Sequence, residues 1–110
     1  MARPFLFYLG KFLTSACVQD VVISPGSRNA PFIIHLANCA NINIHSIVDE
    51  RSAAYVALGM AIKTGKSTVF ICSSGTALLN AAPAVAEAYY QQVPLLVFSA
   101  DRPPELIDQG

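Results

Sequence analysis

Four short apolar segments constrain this chain more than anything else in it: "DVVIS" at 20–24, "INIHSIV" at 42–48, "STVFIC" at 67–72 and "PLLVFS" at 94–99. They are rich in β-branched residues, recur every 22 to 27 residues and read as strands. Helical segments, roughly 4–17, 28–38, 51–64 and 76–91, precede and separate them. Such alternation specifies an α/β fold, a parallel sheet with helices on both faces.

The remaining composition agrees. Of 110 residues, 54% are hydrophobic and 13% charged, enough apolar material for the core of one domain or part of one. Seven basic and seven acidic residues cancel without forming a basic stripe, which argues against nucleic acid and anionic membrane surfaces as partners. The longest apolar runs fall well short of the roughly 20 residues that span a bilayer. At the N-terminus, Lys11 interrupts the apolar stretch, and Phe5, Leu9, Phe12 and Leu13 fall at i, i+4, i+7 and i+8. An amphipathic helix at a mature, cytoplasmic N-terminus is expected there rather than a signal peptide. Cys17, Cys39 and Cys72 are widely spaced and read as buried thiols of a reducing compartment.

Chemistry gathers where the strands end. The first is followed by "SPGSRN", the second by "DERS", the third by "SSGT" and the fourth by "SADRPPE". These polar loops collect at the carboxyl edge of the sheet, where ligands of open α/β sheets bind. In "SPGSRNAPF", Pro25 and Gly26 turn the chain while Ser27 and Arg28 begin the next helix. That arrangement suits a carboxylate or phosphate, and equally a capped helix with an exposed arginine. Arg102 is either a second anion clamp at this edge or half of a surface pair with Asp101. Glu50 stands in the first turn of a helix, where the helix dipole favours its anion and desolvation its neutral form. It reads either as a proton-exchanging group or as a helix-start acid satisfied by Arg51. Asp49 is the expected cap of that helix and Gly65 its left-handed stop. Small residues from Ser52 to Ala61 would let another helix approach, including one from a second subunit.

Other features carry less. "KTGKS" at 63–67 has Met60 where a phosphate-binding loop needs glycine, and it leads out of a helix into a strand. His35 and His45 lie within a helix and a strand with no carboxylate at matching spacing, so packing or surface roles are expected.

Together the loops "VVISPGSRNAP", "IVDERSAAYVALGMA" and "CSSGTALLNAAPAVAEAYYQQVPLLVFSADRPPEL" resemble the N-terminal pyrimidine-binding domain of thiamine diphosphate enzymes. Within that family they are most similar to the synthases of menaquinone biosynthesis. The resemblance covers residues 1–110, read as the N-terminal part of that domain, with the diphosphate-binding domain lying outside this chain. It implies a decarboxylating carboligation in which 2-oxoglutarate supplies a four-carbon unit that is added to isochorismate. It also implies thiamine diphosphate, and Mg2+ held by the C-terminal domain. A homodimer or homotetramer would form the site between subunits, and a fragment of this size would be inactive alone. By the resemblance, Glu50 exchanges a proton with the aminopyrimidine ring and so activates the cofactor. Pro25, Thr76 and Asn80 line the cofactor pocket, while Ser27, Arg28 and Arg102 receive the substrates. Two other readings remain: a carboligase of the acetolactate synthase type, whose G-P-G-A loop is replaced here by "SGTA", and a non-catalytic α/β module for carboxylate binding or dimerisation.

Overall fold

A computed structural model describes residues 4–108. Helix α1 (Pro4–Ser15) leads into strand β1 (Asp20–Ile23), followed by α2 (Ala30–Ala37) and β2 (Asn43–Ser46). The chain continues through α3 (Glu50–Thr64), β3 (Thr68–Cys72), two short helices α4 (Thr76–Leu79) and α5 (Ala82–Gln91), and β4 (Leu95–Ser99). A 3-10 turn covers Pro104–Leu106. No helix among the described residues is long and apolar enough to cross a membrane.

The four strands are parallel, in the order β2-β1-β3-β4. The two central strands are buried on both faces. Val21, Ile23, Val69 and Ile71 point to the side covered by α1 and α2, where Leu9, Leu13 and Leu36 complete one core. Val22, Phe70 and Cys72 point the other way, onto Ala53, Ala54 and Ala57 of α3 and Ala84 of α5. Right-handed crossovers account for the division, because α2 carries the chain outward from β1 and α3 carries it back across.

Helix α3 begins and ends where its punctuation requires. The Asp49 carboxylate accepts hydrogen bonds from the Ser52 backbone N–H (2.9 Å) and hydroxyl (2.7 Å), and Gly65 closes the helix at φ 68°. The small residues Ala53, Ala54, Ala57 and Ala61 are buried. The first three pack onto the chain's own sheet and α5, leaving Ser52 and Gly59 on the outer side.

Three expectations are corrected. The helix expected over 76–91 is two helices: Pro83 lacks an N–H and its ring collides with the carbonyl four residues earlier, so the chain passes through Asn80 and Ala81 on i→i−3 hydrogen bonds. On α1 the buried positions are Leu9, Gly10 and Leu13, while Phe5 and Phe12 lie outside the core and Phe5 meets Phe32 edge to face. Of the three cysteines expected to be buried, Cys72 is, Cys39 is half-buried and Cys17 is exposed. Cys17 follows α1 in the left-handed region (φ 61°), and the Val18 N–H to Leu13 C=O bond (2.9 Å) closes the turn behind it.

Phe70 is the largest fully buried side chain. Phe70→Ala should cost about 3–5 kcal/mol, read as a lower urea midpoint, and a loss below about 1 kcal/mol would contradict the packing described. The Ser52 hydroxyl, then the Ser52 N–H, hold the Asp49 carboxyl below its ordinary pKa of 3.8. The cap therefore stabilises fully above pH 3.8 and is lost as the pH falls through the lower folded-state value. Asp49→Ala should lower the thermal midpoint near neutrality, with the gap to wild type closing on acidification.

Candidate functional site

The chain moves one way across the sheet from β1 to β2 and the other way from β1 to β3 and β4. A crevice opens at such a reversal, above the carboxyl ends of the strands that flank it. Here those strands are β1 and β3, followed by the Ser24–Pro25–Gly26 and Ser73–Ser74–Gly75 loops. The loops touch: a Cβ added to Gly26 would lie 2.8 Å from the Ser73 Cβ, so this contact requires glycine. Gly75 takes φ 72° and ψ −136°, a conformation open mainly to glycine, and it launches α4.

Glu50 is the first residue of α3, at the carboxyl side of β2. It is half-buried, and its carboxylate makes no hydrogen bond or ion pair among the described residues. Its charge is felt at Cys72, the last residue of β3: burial first, then the Glu50 charge, pushes the Cys72 thiol above its usual range. Glu50 makes no ion pair with Arg51 among the described residues, so of the plain helix-start reading only the helix dipole remains to satisfy it. Pro25 is exposed in the loop after β1, Thr76 opens α4 and Asn80 closes it, both exposed.

Ser27, Arg28 and Arg102 line one cavity of about 620 Å³ together with Pro31, Asp101 and Glu105. The loops after β1 and β4 thus meet at one edge. Neither guanidinium makes a hydrogen bond or ion pair among the described residues. Asp101 does not pair with the Arg102 side chain; its carboxylate accepts the Arg102 backbone N–H at 2.7 Å. Ser27 and Arg28 precede α2 instead of beginning it, because the helix starts at Ala30.

The sequence reading missed Asn29. It is completely buried, its Oδ1 accepts the Gly26 N–H at 2.8 Å, and its Nδ2 donates to the Ser24 C=O at 2.8 Å. A short polar residue just before an apolar helix looks like an ordinary cap, and nothing in the sequence separates the two roles. The histidines stay outside this edge. His45 does have a carboxylate partner, contrary to expectation: its Nε2 lies 3.0 Å from Asp20 Oδ1. Asp20 opens β1, however, so the pair sits at the amino end of the sheet. His35 packs against Gly10, its Nε2 buried without a partner among the described residues. Among those residues no group of three or more His, Cys, Asp or Glu could hold a metal ion.

Comparison with known proteins follows the same lines. Residues 6–110 match the family model described as "Thiamine pyrophosphate enzyme, N-terminal TPP binding domain". A curated relative from Cytophaga hutchinsonii, named 2-succinyl-5-enolpyruvyl-6-hydroxy-3-cyclohexene-1-carboxylate synthase, is 61% identical over 93 residues, covering 84% of this chain and 17% of the relative. Relatives of the same name are 55% identical in Flavobacterium johnsoniae (84% and 17% covered) and 54% identical in Halorubrum lacusprofundi (89% and 16%). The chain thus spans about one sixth of the length of these relatives. A benzoylformate decarboxylase structure from Polynucleobacter necessarius superposes with a TM-score of 0.84 at 23% identity, over 96% of this chain and 19% of that one, which shows the shared fold. With the family model spanning nearly all of it, the chain belongs to the N-terminal TPP-binding domain family of thiamine pyrophosphate enzymes.

Proposed function

We propose that these residues form the N-terminal part of a cytoplasmic, thiamine diphosphate-dependent transferase that decarboxylates 2-oxoglutarate and adds the four-carbon unit to isochorismate. The observation that carries this reading is the single cavity holding Ser27, Arg28 and Arg102, with both guanidinium groups unpaired among the described residues. Both substrates are carboxylates, and an unpaired arginine binds a carboxylate through two parallel N–H bonds. The names of the curated relatives support the choice of substrates.

Glu50 fits the aminopyrimidine of the cofactor. A half-buried carboxylate with no partner among the described residues is open to a donor from a ligand, and a ring nitrogen sharing a proton with it supplies one. Thiamine diphosphate, when bound, supplies the electron sink for decarboxylation. Glu50 holds or releases the proton at its carboxylate oxygen. Pro25, Thr76 and Asn80 wall the pyrimidine side from the loops after β1 and β3. Ser27, Arg28 and Arg102 orient the substrate carboxylates. In this reading Mg2+ and the diphosphate are held by residues outside this chain, and a homodimer or homotetramer completes the site across a subunit boundary.

The test is made in the full-length polypeptide carrying these residues. Wild type should turn over 2-oxoglutarate with isochorismate, and failure to do so would sink the substrate assignment. Glu50→Gln should slow proton exchange at the cofactor thiazolium and kcat by about a hundredfold or more, with an undiminished exchange rate removing Glu50 from the reaction. Arg28→Ala and Arg102→Ala should raise KM for the carboxylate substrates by about tenfold to a hundredfold, the worth of a charged hydrogen bond.

A further inference from the structure

We infer that Asn29 is a positioning residue of the anion site, holding the loop that presents Ser27 and Arg28; this rests on the carboxylate reading of Arg28 given above. Asn29 occupies the position that precedes α2, yet its side chain makes no capping bond to that helix. It turns back into the loop, accepting the Gly26 N–H and donating to the Ser24 C=O, each at 2.8 Å. Ser27 and Arg28, both exposed, are therefore the two residues suspended between the anchored Gly26 and the anchored Asn29.

The anchor is firm on every side. Asn29 is 0% exposed, so removing its side chain leaves the Gly26 N–H and the Ser24 C=O without their protein partner in the interior. Gly26 abuts Ser73 closely enough that even a methyl group would collide. Ser24 in turn donates its hydroxyl to the Ile47 C=O at 2.8 Å, and Ile47 lies three residues before Glu50. One chain of hydrogen bonds thus links the arginine-bearing loop to the connection that carries the proposed proton-exchanging carboxylate. Its effect would be to fix the distance between the substrate carboxylate and the reacting centre, where a displacement of about 1 Å can cost a hundredfold.

In the full-length polypeptide, Asn29→Ala should raise KM for 2-oxoglutarate about tenfold or more, while thiazolium proton exchange, which depends on Glu50, stays within about twofold. Amide hydrogen exchange across residues 24–29 should quicken. A merely structural loss would depress both kinetic readouts together. Added to Arg28→Ala, Asn29→Ala should contribute less than its own factor, because it acts through the arginine. A raised KM for Arg28→Ala beside an unchanged KM for Asn29→Ala overturns the positioning role alone. An unchanged KM for Arg28→Ala overturns the carboxylate reading and this inference with it. If Asn29→Ala does not fold, Gly26→Ala, which pushes the same loop away from Ser73, should give the same split, and an unchanged KM there overturns the proposal.

Discussion

Everything in this fold depends on β1 and β3 having no face left for water. Successive side chains of the two strands serve opposite cores, so neither strand can slip by one residue without exchanging every residue between them. That fixed register holds the carboxyl ends of β1 and β3 side by side. The loops that leave them are consequently placed by the core rather than by their own limited contacts.

A rigid edge lets polar groups remain unsatisfied within the chain. Glu50, Arg28 and Arg102 carry charges without partners among the described residues, whereas Asp49 and Asn29 beside them are engaged in local hydrogen bonds. The division is one of labour: the residues that shape the loops are satisfied internally, and those left over are available to ligands. A pair of arginines in one cavity would repel without an anion or nearby carboxylates, and Asp101 and Glu105 line the same cavity.

The strands and most helices were legible because their signals are local. β-branched runs marked the strands, and Asp49 and Gly65 fixed the ends of α3 through bonds spanning only a few residues. The loops carrying the candidate site were legible as well, since polar turns follow every strand. What the sequence concealed depends on relations at a distance or on backbone handedness. The Asp20–His45 pair spans 25 positions and exists only because β1 and β2 align as they do. Cys17 turned outward because α1 is followed by a left-handed residue, a position more often filled by glycine. Pro83 broke a helix upstream of itself, and the side chain of Asn29 faces back into the loop rather than onto the helix it precedes.

The position of β4 also bears on how the isolated chain would behave in solution. It is one of the two outer strands of the sheet, its sequence Leu95–Ser99 contains no charge, and Tyr89 and Tyr90 stand exposed beside the groove along it. A strand with one row of amides and carbonyls unpaired and no charged residue to discourage a neighbour is a template for another strand. Concentrating the 110 residues alone would therefore favour edge-to-edge association through β4, and a lysine introduced at an outward position of that strand would act as a gatekeeper against it.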